Sequence, residues 1–213
     1  MIAYAWRSVP LGSLMVAGGL LVVLMLVVAR WPYTMWPLQG CAVGLLAGAA
    51  AWCFDEPAAA VADTAPRSLL WRTVARSAGL VVLLLWWGLA VRLAGADLFG
   101  HALDVAWQGV VAVLATTAYV TWRRSRGVAT PGRATAAAVA PAVAFVALAR
   151  LYADRVPVFP YTAAGDWALS RALWTAIALA SVTALAVVLA ERRSTGPAAT
   201  EAPTTVDPRR IST

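Results

Sequence analysis

The charged residues of this chain that could do chemistry lie near the ends of its apolar stretches. Arg92 and Asp104 flank one short turn at similar depth, so they are candidates for an ion pair. Arg150 and Asp154 are spaced i, i+4 on one predicted helix, which also favours pairing. Together with Arg171, these residues have two interpretations. Either they pair and snorkel near the lipid headgroups, or they line an outer vestibule that receives an anionic or amphiphilic substrate.

Other chemistry has little support in the sequence. No apolar stretch has an ionisable residue at its centre, where a proton path or an intramembrane active site would need one. A nucleophile elbow, paired carboxylates and a phosphate-binding loop are all missing, and the chain has no Lys. His101 is the only histidine, and Cys41 and Cys53 lie about 18 Å apart along one predicted helix. The sequence therefore predicts no enzyme, no bound metal and no cofactor.

Six apolar stretches must position these residues. Hydrophobic residues make up 62% of the chain and charged residues 13%, about half the charged fraction of an ordinary soluble domain. Each stretch approaches or exceeds the roughly 20 residues that cross a bilayer as a helix. The sequence predicts an all-α polytopic membrane protein, with residues 1–191 forming the transmembrane domain and 192–213 a disordered tail. The predicted spans are approximately residues 9–29, 37–54, 78–96, 103–122, 135–152 and 167–190.

The arginines predict which way the chain faces. With a cytoplasmic N-terminus, twelve of the 17 basic residues fall on the cytoplasmic side and five on the other. Both termini are then cytoplasmic, as six spans require. The net charge of +7 has this origin and does not indicate a nucleic-acid partner. The exclusive use of Arg is typical of high-GC bacteria, so the expected location is a bacterial plasma membrane.

The loop between the second and third spans is the most distinctive polar stretch. Asp55 or Glu56 can cap a short helix that Pro57 opens and Pro66 ends, over residues 58–64. Ser68 can cap a second short helix that leads into the third span. The loop would be either an ordinary interfacial connector or a docking element for a partner. Its candidate partner-coupling residues are Asp55, Glu56, Asp63, Arg67, Arg72 and Arg76.

The same loop carries a family resemblance. Its Asp-Glu-Pro-Ala start, Thr-Ala-Pro-Arg break and Trp-Arg-x-x-x-Arg return resemble small membrane proteins that accompany ATPase genes in high-GC Gram-positive bacteria. Those proteins are taken as permease subunits of ABC transporters. The resemblance implies an exporter-type subunit whose coupling helix lies in this loop and whose partner is a separate ABC ATPase. The chain departs from that class in two places, since it has neither an amphipathic helix before the first span nor a re-entrant pair in its last outer loop.

Two features inside the spans concern packing. Gly40, Gly44 and Gly48 share one helix face and would let a neighbouring helix approach the second span closely. Pro141 is expected to kink the fifth span. The glycine face, and the lack of polar groups noted in the spans, support a second hypothesis, a non-transporting scaffold, assembly or immunity subunit. Either function implies homo- or hetero-oligomers with other membrane subunits.

Overall fold

The protein is an all-helical bundle. The computed structural model describes residues 11–55, 69–95, 98–128, 130–149 and 156–194. Over these ranges the chain forms α-helices and one 3-10 turn, Pro32–Thr34, and no β-strand. The fold class that the hydropathy pattern predicts is therefore confirmed. The helices are α1 Leu11–Arg30, α2 Met35–Trp52, α3 Leu69–Ala94, α4 Ala102–Ser125, α5 Pro131–Ala149 and α6 Trp167–Ser194.

Helix length and composition identify a polytopic membrane protein. Five helices, α1, α3, α4, α5 and α6, are long and apolar enough to cross a bilayer. The apolar part of α2, Pro37–Trp52, is shorter. In such a bundle the backbone groups of each helix interior are paired within that helix, which is the condition for a chain to cross hydrocarbon. The predicted orientation, with both termini cytoplasmic, stays a prediction.

The helix boundaries differ from the predicted spans most clearly at α3. This helix begins at Leu69, well before the predicted span start at Ala78. Arg72 and Arg76 interrupt the apolar run of the sequence, but the helical backbone continues through both of them. The expected second short helix is thus the first part of α3. The expected helix over residues 58–64 and its end at Pro66 lie outside the described residues. Pro141 stands inside α5, which continues as a helix to Ala149.

α2 occupies the centre of the bundle. Apart from Trp52, every described side chain of α2 is buried or half-buried. Its most extensive contact is with α5, and it also packs on α4 and α1. The α1–α3 and α4–α6 pairs make the other large contacts. The resulting core contains fully enclosed side chains from different helices, among them Met25, Leu46, Leu83 and Trp87.

The glycine face of α2 lies against α5. A Cβ atom added at Gly40 would collide with the Cβ of Ala147, and one added at Gly44 would lie 3.0 Å from the carbonyl oxygen of Ala140. At Gly48 the nearest atom would be the Cβ of Ala140, at 3.5 Å. Backbones approach this closely only where side chains are missing, which is how small residues drive helix packing in membranes. The three glycines therefore position α5 on α2.

Candidate functional site: polar contacts at the two ends of the bundle

The bundle has polar contacts at both ends. At the His101 end, α4 and α6 begin, and at the Asp55 end, α2 and α4 finish and α5 begins. The predicted orientation makes the Asp55 end cytoplasmic.

Asp104 and Arg171 join α4 to α6 at the His101 end. The Nε and Nη2 atoms of Arg171 donate to the two carboxylate oxygens of Asp104 at 2.6 and 3.0 Å. This is the bidentate geometry that an arginine fork and a carboxylate form best. The Asp104 side chain is 10% exposed and that of Arg171 61% exposed, so the pair lies at the edge of the bundle.

His101 and Trp167 complete this contact, which we call the outer cluster (His101, Asp104, Trp167 and Arg171). The Nδ1 atom of His101 lies 3.0 Å from Oδ2 of Asp104, and the imidazole stacks on the Trp167 ring at 4.2 Å between centroids. Asp104 stands in the first turn of α4, where a negative charge is favoured by the helix dipole. Asp166 accepts a hydrogen bond from the backbone N–H of Leu169 at 2.9 Å, which fixes the start of α6.

The expected pairing of Arg92 with Asp104 is wrong in this structure. Asp104 binds Arg171 because α4 packs extensively on α6 and less on α3, the helix that carries Arg92. Arg92 is exposed on the bundle surface. Arg150 and Asp154 lie outside the described residues. Of the five predicted vestibule residues, the structure therefore brings together Asp104 and Arg171.

A buried chain of polar side chains, which we call the glutamine chain, links α2, α4 and α6 deeper in the bundle. The side-chain N–H of Gln39 donates to Oε1 of Gln108 at 2.5 Å, and the Nε2 of Gln108 donates to Ser170 Oγ at 3.3 Å. Ser170 Oγ in turn donates to the carbonyl of Val158 at 3.2 Å, and Trp174 Nε1 donates to the same carbonyl at 2.9 Å. Both glutamine side chains are fully buried.

Patterns of ionisable residues in the sequence do not indicate the glutamine chain, because none of its side chains is ionisable. The signal was available, since the only two glutamines of the chain both lie in apolar stretches, and each is followed by glycine. Within the part of the chain that the structure describes, Oε1 of Gln39 is buried with no hydrogen-bond partner. Burying a polar atom without a hydrogen bond costs free energy in a membrane bundle. The hydrogen bonds of the glutamine chain therefore favour the arrangement in which α2, α4 and α6 are neighbours.

Asp55 organises the other end of the bundle. Its Oδ1 accepts from the backbone N–H of Gly132 and its Oδ2 from that of Arg133, both at 2.7 Å. Helix α5 begins with Pro131, which has no N–H, so Asp55 satisfies the next two unpaired donors of the helix start. The Nη1 of Arg124, at the end of α4, also donates to the carbonyl of Phe54 at 3.3 Å. We call these contacts the inner joint (Phe54, Asp55, Arg124, Gly132 and Arg133).

Of the other predicted coupling residues, the structure describes only the helical positions of Arg72 and Arg76. Glu56, Asp63 and Arg67 lie outside the described residues. Arg72 and Arg76 lie within the first two turns of α3. The structure thus shows Asp55 capping α5, which the sequence reading did not foresee. In the described ranges no three His, Cys, Asp or Glu side chains gather as metal ligands, and Cys41 and Cys53 form no disulfide.

Comparison with known proteins adds nothing to this description. No protein-family model, no curated protein and no solved structure matches the chain. The features that bear on function are the geometry at the two ends of the bundle and the loop resemblance.

Proposed function

We propose that this protein is the membrane-spanning subunit of an ABC-type export complex, coupled to a separate ATPase through the loop of residues 55–76. A chain without a phosphate-binding loop must take its energy from a partner. The loop resemblance favours an ABC ATPase as that partner, and a bacterial plasma membrane as the location.

The observation that carries the proposal is how the loop is attached. Its first residue, Asp55, is bound to the start of α5, and its last part is the start of α3. The loop therefore connects the α2–α5 pair to the α1–α3 pair, which are two of the most extensive helix contacts in the bundle. An ATPase that moved this loop would move one helix pair relative to the other, which is the motion that alternating access requires.

The test begins with the tagged full-length chain, purified from its native membranes together with an ABC ATPase encoded next to it. We expect the ATPase to co-purify, and Glu56→Arg with Asp63→Arg to reduce its recovery. These two carboxylates are reversed in place of Asp55 because Asp55 holds α5. The matched control is Glu56→Gln with Asp63→Asn, which removes the charges without reversing them and should have a smaller effect. No ATPase in the preparation, or equal recovery with the reversed loop, would reject the proposal.

A scaffold or assembly subunit is the second candidate function, and one observation favours it. Gln39, Gln108 and Ser170 bond to one another across α2, α4 and α6, as interhelical contacts that hold a bundle together do. A scaffold would retain its membrane partners while showing no dependence on ATP. Reconstituted vesicles in which the complex hydrolyses ATP only in the presence of this chain would exclude this function.

A further inference from the structure

An aromatic and basic surface surrounds the Asp55 end of the bundle. Three arginines each lie over an exposed aromatic ring: Arg123 over Tyr119 at 6.0 Å, Arg126 over Trp122 at 5.6 Å, and Arg133 over Trp52 at 5.8 Å. We call these three pairs the arginine collar. The rings come from the ends of α2 and α4, and the arginines from the end of α4, the residue after it and the start of α5.

The charge of this surface is strongly one-sided. Four arginines whose side chains are described lie at this end, namely those of the collar and Arg124, together with two such carboxylates, Asp55 and Glu191. Asp55 already accepts two backbone hydrogen bonds, and its Oδ2 lies 3.8 Å from Nε of Arg133. The Arg133 side chain is 70% exposed. Among the side chains that the structure describes at this end, positive charges thus outnumber negative ones.

The exposed rings of the collar indicate the depth in the membrane at which a ligand of this surface would lie. Tyr119, Trp122 and Trp52 are 43%, 39% and 44% exposed, and the first two stand on the surface of a span. Large aromatic side chains that face outward at a span end lie at the depth of the headgroups. Stacking on a ring orients a guanidinium while leaving N–H donors for phosphate oxygens, which they fit two at a time. In the Arg123 pair, Nη1 also donates to the Tyr119 hydroxyl at 3.3 Å. The partner with a phosphate at this depth is a lipid.

We propose that the arginine collar is a binding surface for the phosphate headgroup of anionic phospholipids. The surface gathers them around the inner joint, beside the loop that begins at Asp55. The inference is independent of the proposed function, because it depends on the charge and the ring contacts alone. A basic residue at a membrane surface contributes about 1 kcal/mol to such binding, so each arginine removed should weaken it roughly fivefold.

The experiment uses the purified full chain in neutral detergent. Phosphatidylglycerol, phosphatidylcholine and inorganic phosphate are titrated in separate series, and bound lipid is counted by native mass spectrometry. We expect phosphatidylglycerol to bind more tightly than phosphatidylcholine, and inorganic phosphate not to compete at matched concentration. The triple variant Arg123→Gln, Arg126→Gln, Arg133→Gln should lose on the order of 100-fold in affinity for phosphatidylglycerol. Arg30→Gln is the matched control, because Arg30 lies over Trp31 at 5.7 Å at the opposite end.

Several results would overturn the inference. They are equal binding of the two lipids, a triple variant with wild-type affinity, an equal loss in Arg30→Gln, and competition by inorganic phosphate. If the triple variant does not yield folded protein, the three single variants replace it. Each must then weaken phosphatidylglycerol binding while Arg30→Gln does not, and unchanged affinity in all three rejects the collar. Recovery of an acidic protein partner in place of lipid, with no lipid preference, rejects it as well.

Discussion

Asp55 binds Gly132 across 77 positions of the chain, with its Oδ1 atom 2.7 Å from the glycine nitrogen. The contact places the end of α2 directly at the start of α5. It also explains why position 132 is glycine, since a Cβ there would collide with the carbonyl oxygen of Ala51 and lie 2.7 Å from Oδ1 of Asp55. The Asp55 carboxylate, and the absence of a Cβ at Gly132, thus allow α2 and α5 to meet at the inner joint.

Removing the Asp55 carboxylate is expected to destabilise the bundle. Asp55→Ala should lower the free energy of unfolding by about 1–2 kcal/mol, because two backbone donors of α5 lose their acceptor. Unfolding of the purified protein in mixed micelles measures the change. Glu56→Ala is the control, because it removes the adjacent carboxylate, and its effect should be smaller. Equal effects would show that the cap contributes nothing specific.

Gly132→Ala should be more damaging than an alanine placed at an open glycine. The added methyl group meets the backbone of α2, which cannot move as a flexible side chain would, so we expect a loss of about 1–3 kcal/mol. Gly88→Ala is the matched variant, since nothing lies within 4 Å of a Cβ there. Thermal unfolding in detergent should separate the two variants, and a Gly132→Ala protein as stable as Gly88→Ala would contradict the close approach.

The glutamine pair should show coupling in a double-mutant cycle. Gln39→Leu or Gln108→Leu alone leaves a buried amide without its partner and should cost about 1–2 kcal/mol. The double variant should cost less than the sum of the two, because neither amide is then left unpaired. Unfolding free energies of the four proteins give the coupling. Strict additivity would mean that the two amides do not bond.

Loss of Arg171 should affect stability more than loss of Arg92. Arg171→Met leaves the mostly buried Asp104 carboxylate without its bidentate partner, whereas Arg92 is exposed on the bundle surface. The expected result is a lower melting temperature for Arg171→Met than for Arg92→Met. A lower melting temperature for Arg92→Met than for Arg171→Met would instead support the pairing of Arg92 with Asp104 that the sequence suggested.

Labelling of single cysteines tests the orientation. In a background with Cys41→Ala and Cys53→Ala, Thr130→Cys and Thr162→Cys should react with a membrane-impermeant reagent from opposite sides. Thr130 stands between α4 and α5, and Thr162 between α5 and α6. The arginine distribution predicts that intact cells are labelled at position 162 alone. Labelling at position 130 in intact cells would reverse the topology.

Hydropathy predicted the helices well because each segment that crosses lipid must be helical and apolar over about 20 residues. It failed at Leu69, where the helix continues beyond the apolar residues into a segment with Arg72 and Arg76. It also could not predict the partner of Asp104, because nothing in a single sequence states that α4 lies beside α6. The capping role of Asp55 at α5 was hidden for the same reason, since α5 begins far along the chain from Asp55.

The short length of α2 has a consequence for the membrane itself. Its 18 residues rise about 27 Å, whereas the 26 residues of α3 rise about 39 Å. α2 is thus slightly shorter than the roughly 30 Å of a hydrocarbon core, and the polar side chain nearest its start, Gln39, is buried among the other helices. Because α2 is enclosed by its neighbours, this hydrophobic mismatch is absorbed within the protein, and the surrounding lipid has no need to thin. At the Gln39 end, hydrogen bonds among buried side chains take the place that headgroups and water have at the end of a longer helix.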